Sequence, residues 1–375
     1  MTSLDSPSGV APVAAASDVA ARVAATIRAD VRAMRAYAVA KAEGMIKLDA
    51  MENPYRLPAP IRAKLAAVLA EASVNRYPDG GADAVKAALA SVLGLPDGVA
   101  LVLGNGSDEL IQMITTAVAA PGAAVLAPDP TFEMYRIDAQ LAHTRYVPVA
   151  LRADFTLDVD AMEAAIAAEK PALVWLACPN NPTGNLFAEE DVLRIVRAAP
   201  GLVVVDEAYY AFADRTFLPR VLEFPNVVVV RTVSKIGMAG IRLGYAVGHP
   251  AWIGEIDKVR PPYNLNAFTQ AAAPVLLAEE ALLAGQAASI RSERARLAAA
   301  LTALPGVTAF PTQTNFVLAR VPDAERWFAA LRDAGILVKN RHGVHPLLAH
   351  CLRITVGTPA ENGTLIAALQ TLSAG

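Results

Sequence analysis

The chain of 375 residues has only two cysteines, Cys178 and Cys351, and no C-x-x-C pair. That scarcity argues against a disulfide framework and leaves no ligand set for a zinc, so no metal is expected and a reducing, cytoplasmic setting is implied. Charge of one sign is scarce as well: 33 Lys and Arg stand against 36 Asp and Glu, a net charge of -3. So weak a balance gives no electrostatic reason to bind nucleic acid or an anionic membrane. No apolar run reaches the roughly 18 residues needed to span a bilayer, because charges interrupt each long hydrophobic segment. Residues 1–17 are rich in Ser, Pro and Ala and lack a basic start. A frayed tail is expected there rather than a secretory leader, and Asp5, Asp18 and Asp30 disfavour a transit peptide. There is no internal repeat.

What is present points to a large α/β protein. The sequence is 54% hydrophobic and 18% charged, with alanine-rich stretches throughout, which suits a helix-rich soluble chain long enough for two interleaved domains. Short β-branched runs read as strands at Val99–Leu103, Ala123–Ala127, Arg145–Val149, Ala172–Ala177, Leu202–Val205 and Asn226–Val230, with a seventh at Leu243–Val247. Helical stretches such as Asp108–Ala119 and Glu189–Ala198 lie between several of them. This alternation predicts a mostly parallel sheet of seven strands covered by helices. Asn266 to about Leu304 reads as one or two helices, Pro305-Gly306 marks a break, and a smaller α/β domain follows.

Chemistry gathers at the strand ends. Leu103-Gly-Asn-Gly-Ser-Asp-Glu109 is a glycine turn between a strand and an amphipathic helix. The free N–H groups of that helix start make a phosphate cradle near Ser107 and Asp108, although such turns also serve plain packing. It lacks a full GxGxxG and the GK[ST] of a P-loop, which argues against dinucleotides and nucleoside triphosphates. Cys178-Pro-Asn-Asn-Pro-Thr-Gly184 places the Asn181 amide just past another strand. In Val203-Val-Val-Asp-Glu-Ala-Tyr209 a buried-looking strand ends on a carboxylate, where Asp206 faces the crevice and can pair with a charged ring nitrogen, or else caps the next helix. Tyr209 reaches the same place. The run Arg231-Thr-Val-Ser-Lys-Ile-Gly-Met-Ala-Gly-Ile-Arg242 holds an amine at a strand end. Lys235 there can bond an aldehyde cofactor, while Thr232, Ser234 and Arg242 offer donors to its phosphate; the bland alternative is a surface lysine beside a turn. Asn181, Asp206 and Lys235 follow one another at intervals of 25 and 29 residues, about one βα unit each.

With these motifs the chain resembles the fold-type I pyridoxal phosphate enzymes of the class I/II aminotransferases, from about Ile46 to the carboxyl terminus. Within them it is most similar to the histidinol-phosphate aminotransferases, through Leu48-Asp-Ala-Met-Glu-Asn-Pro-Tyr55, Asn75-Arg-Tyr-Pro-Asp79, Pro262-Tyr-Asn264 and Cys351-Leu-Arg-Ile-Thr-Val-Gly-Thr358. The resemblance implies that Lys235 carries pyridoxal 5'-phosphate, Asp206 partners its ring nitrogen, and Asn181 and Tyr209 hold its phenolic oxygen. Phe132 stacks on the cofactor face, with Tyr135 as the other candidate. Ser107, Asp108, Thr232, Ser234 and Arg242 would meet the phosphate, and Tyr77 the phosphate of a neighbouring subunit, which implies a homodimer with shared sites. Arg353 can grip an anion bidentately or serve an ordinary ion pair. By resemblance it holds the substrate phosphate in one half-reaction and the glutamate carboxylate in the other. Tyr37 and Asn53 match positions near the substrate, though the helix of Tyr37 could equally be a packing helix.

Three departures stand out. Met51 replaces a frequent asparagine, the link from Lys235 to Arg242 is one residue shorter than usual, and Lys339 stands where a second arginine often sits. Whether Lys339, Arg341 or His342 completes the substrate phosphate site stays open. The activity implied is transamination of L-histidinol phosphate with 2-oxoglutarate. An aminotransferase for aromatic or other amino acids and a phosphothreonine decarboxylase on the same fold are the alternatives; a pyridoxal phosphate-binding regulator is disfavoured by the lack of room for a DNA-binding domain. The expected organisation is a tail over 1–17, an arm over 18–52 packing with the small domain, a large domain over 53–265 and the small domain over 266–375.

Overall fold

Val203-Val-Val and Val227-Val-Val-Val are wholly buried, as continuous apolar runs must be in a sheet covered on both faces. The structure, a computed structural model, describes residues 16–36 and 40–374. By compactness the chain divides into Met1–Lys41 and Ala42–Gly375. Among the described residues the first unit holds two helices, Ala16–Thr26 and Ala29–Ala33. Most of the expected tail thus lies outside the described residues.

The second unit contains all the strands found in the described residues. In chain order they are β1 (Ile46–Lys47), β2 (Ala100–Asn105), β3 (Ala124–Asp129), β4 (Arg145–Ala150), β5 (Leu173–Ala177), β6 (Leu202–Asp206), β7 (Val227–Thr232), β8 (Leu243–Gly248), β9 (Thr308–Ala309), β10 (Phe316–Arg320), β11 (Ile336–Leu337), β12 (Lys339–Asn340) and β13 (Cys351–Thr355). The main sheet has the order β2-β8-β7-β6-β5-β3-β4 and is parallel except for β8, which runs against both β2 and β7. The cause is the link between β7 and β8. Residues 233–242 are too few for the helical crossover that a parallel neighbour requires, so the chain turns straight back.

A smaller antiparallel sheet, β12-β13-β10-β9, follows, and β1 pairs in parallel with β11. The alanine-rich region forms two helices, Ala267–Leu277 and Glu280–Thr302, bent by 80° at their junction. Among the described residues no single helix is long and apolar enough to cross a membrane.

The expected strands are all present, and β2, β3 and β7 each run two residues past the expected end. β2 continues through Gly104 and Asn105, which pair with Gly244 and Leu243. β7 continues through Arg231 and Thr232, paired with Tyr245 and Gly244. Arg231 is tolerated inside because Glu207 Oε2 accepts from its Nε and Nη2 at 2.9 and 2.8 Å and the Tyr210 ring lies 4.1 Å from the guanidinium. A charge ends an apolar run in the sequence; here a buried partner lets the strand go on.

Candidate functional site

Parallel strands deliver their carboxyl ends to one edge, and the loops after β5, β6 and β7 therefore converge. They enclose a cavity of ≈ 200 Å³. Asn181, Asp206, Tyr209 and Lys235 line it, with Phe132 and Tyr135 on one wall and Ser107, Asp108, Thr232, Ser234 and Arg242 also in the lining. Ala50, Met51 and Glu52 complete the lining.

Asp206 is the last residue of β6 and is 4% exposed. Its Oδ1 accepts from the Ala208 N–H at 3.0 Å and its Oδ2 from the Tyr135 hydroxyl at 2.7 Å. Burial pushes this carboxyl up to about 6, against the pull of the Tyr135 hydrogen bond. Lys235 sits in the short 3-10 turn Ser234–Ile236 that ends on Gly237, whose φ of 113° suits glycine. Burial, and after it the guanidinium of Arg353, brings the lysine down to about 8. A buried acid and a half-buried amine, each held away from its ordinary range, share one cleft, which is the pattern of a reactive site.

The phosphate end is built by close approach. Gly106, at φ 82°, leads into the helix Ser107–Val118. A Cβ on Gly244 would fall 2.5 Å from Ser107 N, so β8 must carry glycine where it passes this turn. Arg242 Nη2 lies 3.2 Å from Asp108 Oδ2, and a Cβ on Gly106 would meet the same nitrogen at 2.6 Å. Thr232 Oγ1 donates to Ser234 Oγ at 2.9 Å. An arginine and a positive helix end set side by side, with two hydroxyls, fit a phosphate dianion. The acid, amine and cradle together suit pyridoxal 5'-phosphate.

Asn181 has its orientation fixed chemically. Arg353 Nη1 donates to its Oδ1 at 2.6 Å, and a guanidinium can only donate, so the amide NH2 is left for a ligand. Arg353, on β13 and 6% exposed, also donates from Nη2 to the Asp49 carbonyl at 3.0 Å. The small sheet is thereby joined to the cleft. Tyr209 donates its hydroxyl to Met51 Sδ at 3.3 Å, and burial raises its pKa. Met51 itself has φ 53°, held by Thr355 Oγ1 on its N–H at 3.0 Å and Asn315 Nδ2 on its carbonyl at 2.8 Å.

Other expected residues lie apart from the cavity lining. Asn53 uses Nδ2 on Gln286 and Oδ1 on the Tyr55 N–H, both at 2.9 Å. Tyr77 is 80% exposed and stacks on Tyr263 at 4.5 Å. Lys339 sits opposite Arg353 in the β12–β13 register. Arg341 is buried beside a smaller cavity with Asp129, Phe132 and His345, and His342 Nδ1 accepts the His350 N–H at 2.9 Å. Tyr37 lies outside the described residues. The sequence reading missed the strap Ala50–Glu52 as a wall and Tyr135 as the donor to Asp206. Met51 as a departure was the one available signal for the strap; the Tyr135 contact joins elements far apart in sequence and leaves no motif.

The family model for aminotransferases of class I and II matches residues 43–369. The chain belongs to the class I and II aminotransferases. More particularly, it is 56% identical over 92% of its length, and 97% of the relative's, to histidinol-phosphate aminotransferase 1 of Burkholderia lata. It is 51% identical, over 99% of both chains, to the histidinol-phosphate aminotransferase of Methylibium petroleiphilum. Among solved structures, that of histidinol-phosphate aminotransferase from Sinorhizobium meliloti in complex with pyridoxal-5'-phosphate superposes with a TM-score of 0.82 at 27% identity, covering 93% of this chain and 98% of that one. The mostly parallel sheet with its smaller companion is the fold-type I architecture.

Proposed function

We propose that the chain transfers the amino group of L-histidinol phosphate to 2-oxoglutarate, giving imidazole acetol phosphate and L-glutamate in histidine biosynthesis, with pyridoxal 5'-phosphate as cofactor. The observation that carries the chemistry is the meeting of the Lys235 amine and the Asp206 carboxylate in one cleft above a phosphate cradle. The relatives, 51% to 56% identical over nearly the whole chain, support the substrate. When bound, the cofactor supplies an aldehyde and a ring that accepts an electron pair. Lys235 would hold the aldehyde and then, as a free amine, would move the proton off the substrate α-carbon. A lysine lowered to about 8 keeps part of its population neutral at working pH, which general-base chemistry requires. Asp206 keeps a proton on the ring nitrogen by placing a negative charge beside it. Asn181 Nδ2 would donate to the phenolic oxygen, and so would the Tyr209 hydroxyl on turning from Met51 Sδ. Ser107 and Asp108 N–H, Thr232, Ser234 and Arg242 would hold the phosphate, and Phe132 would be the stacking ring, since Tyr135 is spent on Asp206 and Trp175.

Arg353 would take the anionic group of each substrate, and the resemblance assigns Lys339, Tyr37 and Asn53 to the same role. The exposed pair Tyr77 and Tyr263 fits burial against a second copy, so a homodimer in which Tyr77 serves the partner's phosphate belongs to the same reading. So do a cytoplasmic location and the division into 53–265 and 266–375, with 18–52 as an arm; the pairing of β1 with β11 supports the last.

The test is turnover of the purified chain with pyridoxal phosphate, histidinol phosphate and 2-oxoglutarate. Glutamate should form, and Lys235→Ala should form none. Carbon dioxide release without glutamate would establish the decarboxylase instead.

A further inference from the structure

Tyr135 reaches Asp206 from the wall of the cleft. It is wholly buried, its hydroxyl donates to Asp206 Oδ2 at 2.7 Å, and its ring lies flat on Trp175 at 4.7 Å and 5°. The edge of Phe132 closes the other side at 5.7 Å. We propose that Tyr135 is a positioning residue, whose phenolic proton locks the Asp206 carboxylate in its charged form and in one orientation toward the ring nitrogen of the cofactor. This rests on the reading of Asp206 given above.

The neighbours of the carboxylate make the phenol necessary. Burial disfavours the anion, and Asp108 and Glu207 both repel it. Tyr209 nearby donates to Met51 instead. Glu207 is already satisfied by Arg231, Thr216 and the Phe217 N–H. Among the described residues Tyr135 is the one side chain that donates to Asp206, alongside the Ala208 N–H. Its own pKa is driven well above the ordinary tyrosine value by burial and then by Asp206, so it stays a donor at any working pH. A neutral donor is also the right kind. A lysine or arginine in its place would neutralise Asp206 and compete with the charged nitrogen the acid is there to hold, whereas a phenol favours the anion and leaves its charge unspent. The stack on Trp175 packs the face of the ring, while the hydrogen bond itself fixes where the hydroxyl points.

Tyr135→Phe removes one oxygen and keeps the ring. In the full chain without cofactor, the Asp206 carboxyl followed by carbon-13 NMR should titrate about one unit higher, a tenfold change in proton affinity, since a hydrogen bond to a charged group is lost. In the loaded enzyme the acid limb of kcat/KM should move upward with it. Trp175→Phe, which loosens the stack and keeps the phenol, should lower the melting temperature and leave the midpoint in place. An unmoved midpoint in Tyr135→Phe overturns the proposal. So does a midpoint that moves while the acid limb stays, or one that moves equally in Trp175→Phe. Failure of the underlying reading would show separately, as full turnover by Asp206→Asn.

Discussion

Lys235→Met should make the cofactor-free protein more stable while destroying its activity. The ammonium of Lys235 is penalised in the fold: burial, then Arg353, brings its pKa from 10.5 to about 8. The sign follows from proton linkage. Above 10.5 both folded and unfolded chains carry a neutral amine and the penalty is absent; as pH falls toward 8 only the unfolded chain gains the proton, so stability declines. Below 8 the penalty is complete and constant. A fall of about 2.5 units corresponds to about 3 kcal/mol, and because Lys235 is only partly covered we expect about 1–3 kcal/mol. Methionine fills a similar volume without a charge. Urea unfolding of wild type and variant, both stripped of cofactor, measures this directly. The variant should be more stable at pH 7, with the gain fading as pH rises toward 10.5. A variant less stable at pH 7, or a difference that does not change with pH, would refute the argument that the amine is strained by its surroundings.

Asp138, 4% exposed with Oδ2 unpartnered, is pushed up to about 7 by burial and then Asp108. Its raised value means a penalty that accrues as pH rises from 3.8 to about 7, so Asp138→Asn should stabilise the protein by about 2–4 kcal/mol at pH 8 and by little at pH 4, as read from denaturant midpoints. Gly244→Ala forces a methyl group into the Ser107 turn and should cost about 1–3 kcal/mol and weaken cofactor affinity, measured by equilibrium dialysis. Arg353→Ala should raise KM for histidinol phosphate and for glutamate alike, by about 10- to 100-fold, as loss of a charged hydrogen bond implies; an effect on one substrate alone would assign it to that half-reaction. Met51→Asn should preserve or raise the melting temperature, because asparagine tolerates φ 53° better than methionine.

Much of the sheet was legible because its signal is local. Runs such as Val203–Val205 and Val227–Val230 can only be central strands, and their ends announce the acid and the amine. The direction of β8 was legible in principle from the short link before it. Illegible were the contacts that join distant segments: Tyr135 to Asp206, Arg353 to Asn181 and Asp49, Met51 to Tyr209. Each is a single hydrogen bond between residues whose separation along the chain has no period, so neither propensity nor spacing encodes it. Asn53 shows the reverse, a motif position whose amide is taken up by Gln286 and Tyr55 on the flank of the cleft.

The hairpin between β7 and β8 carries both Lys235 and Arg242. On the proposed reading, the amine for one end of the cofactor and the guanidinium for the other therefore belong to a single short span, anchored at each foot by the ladder bonds of β7 and β8. The separation of Lys235 and Arg242 is set within residues 233–242, so this stretch acts as the molecule's ruler.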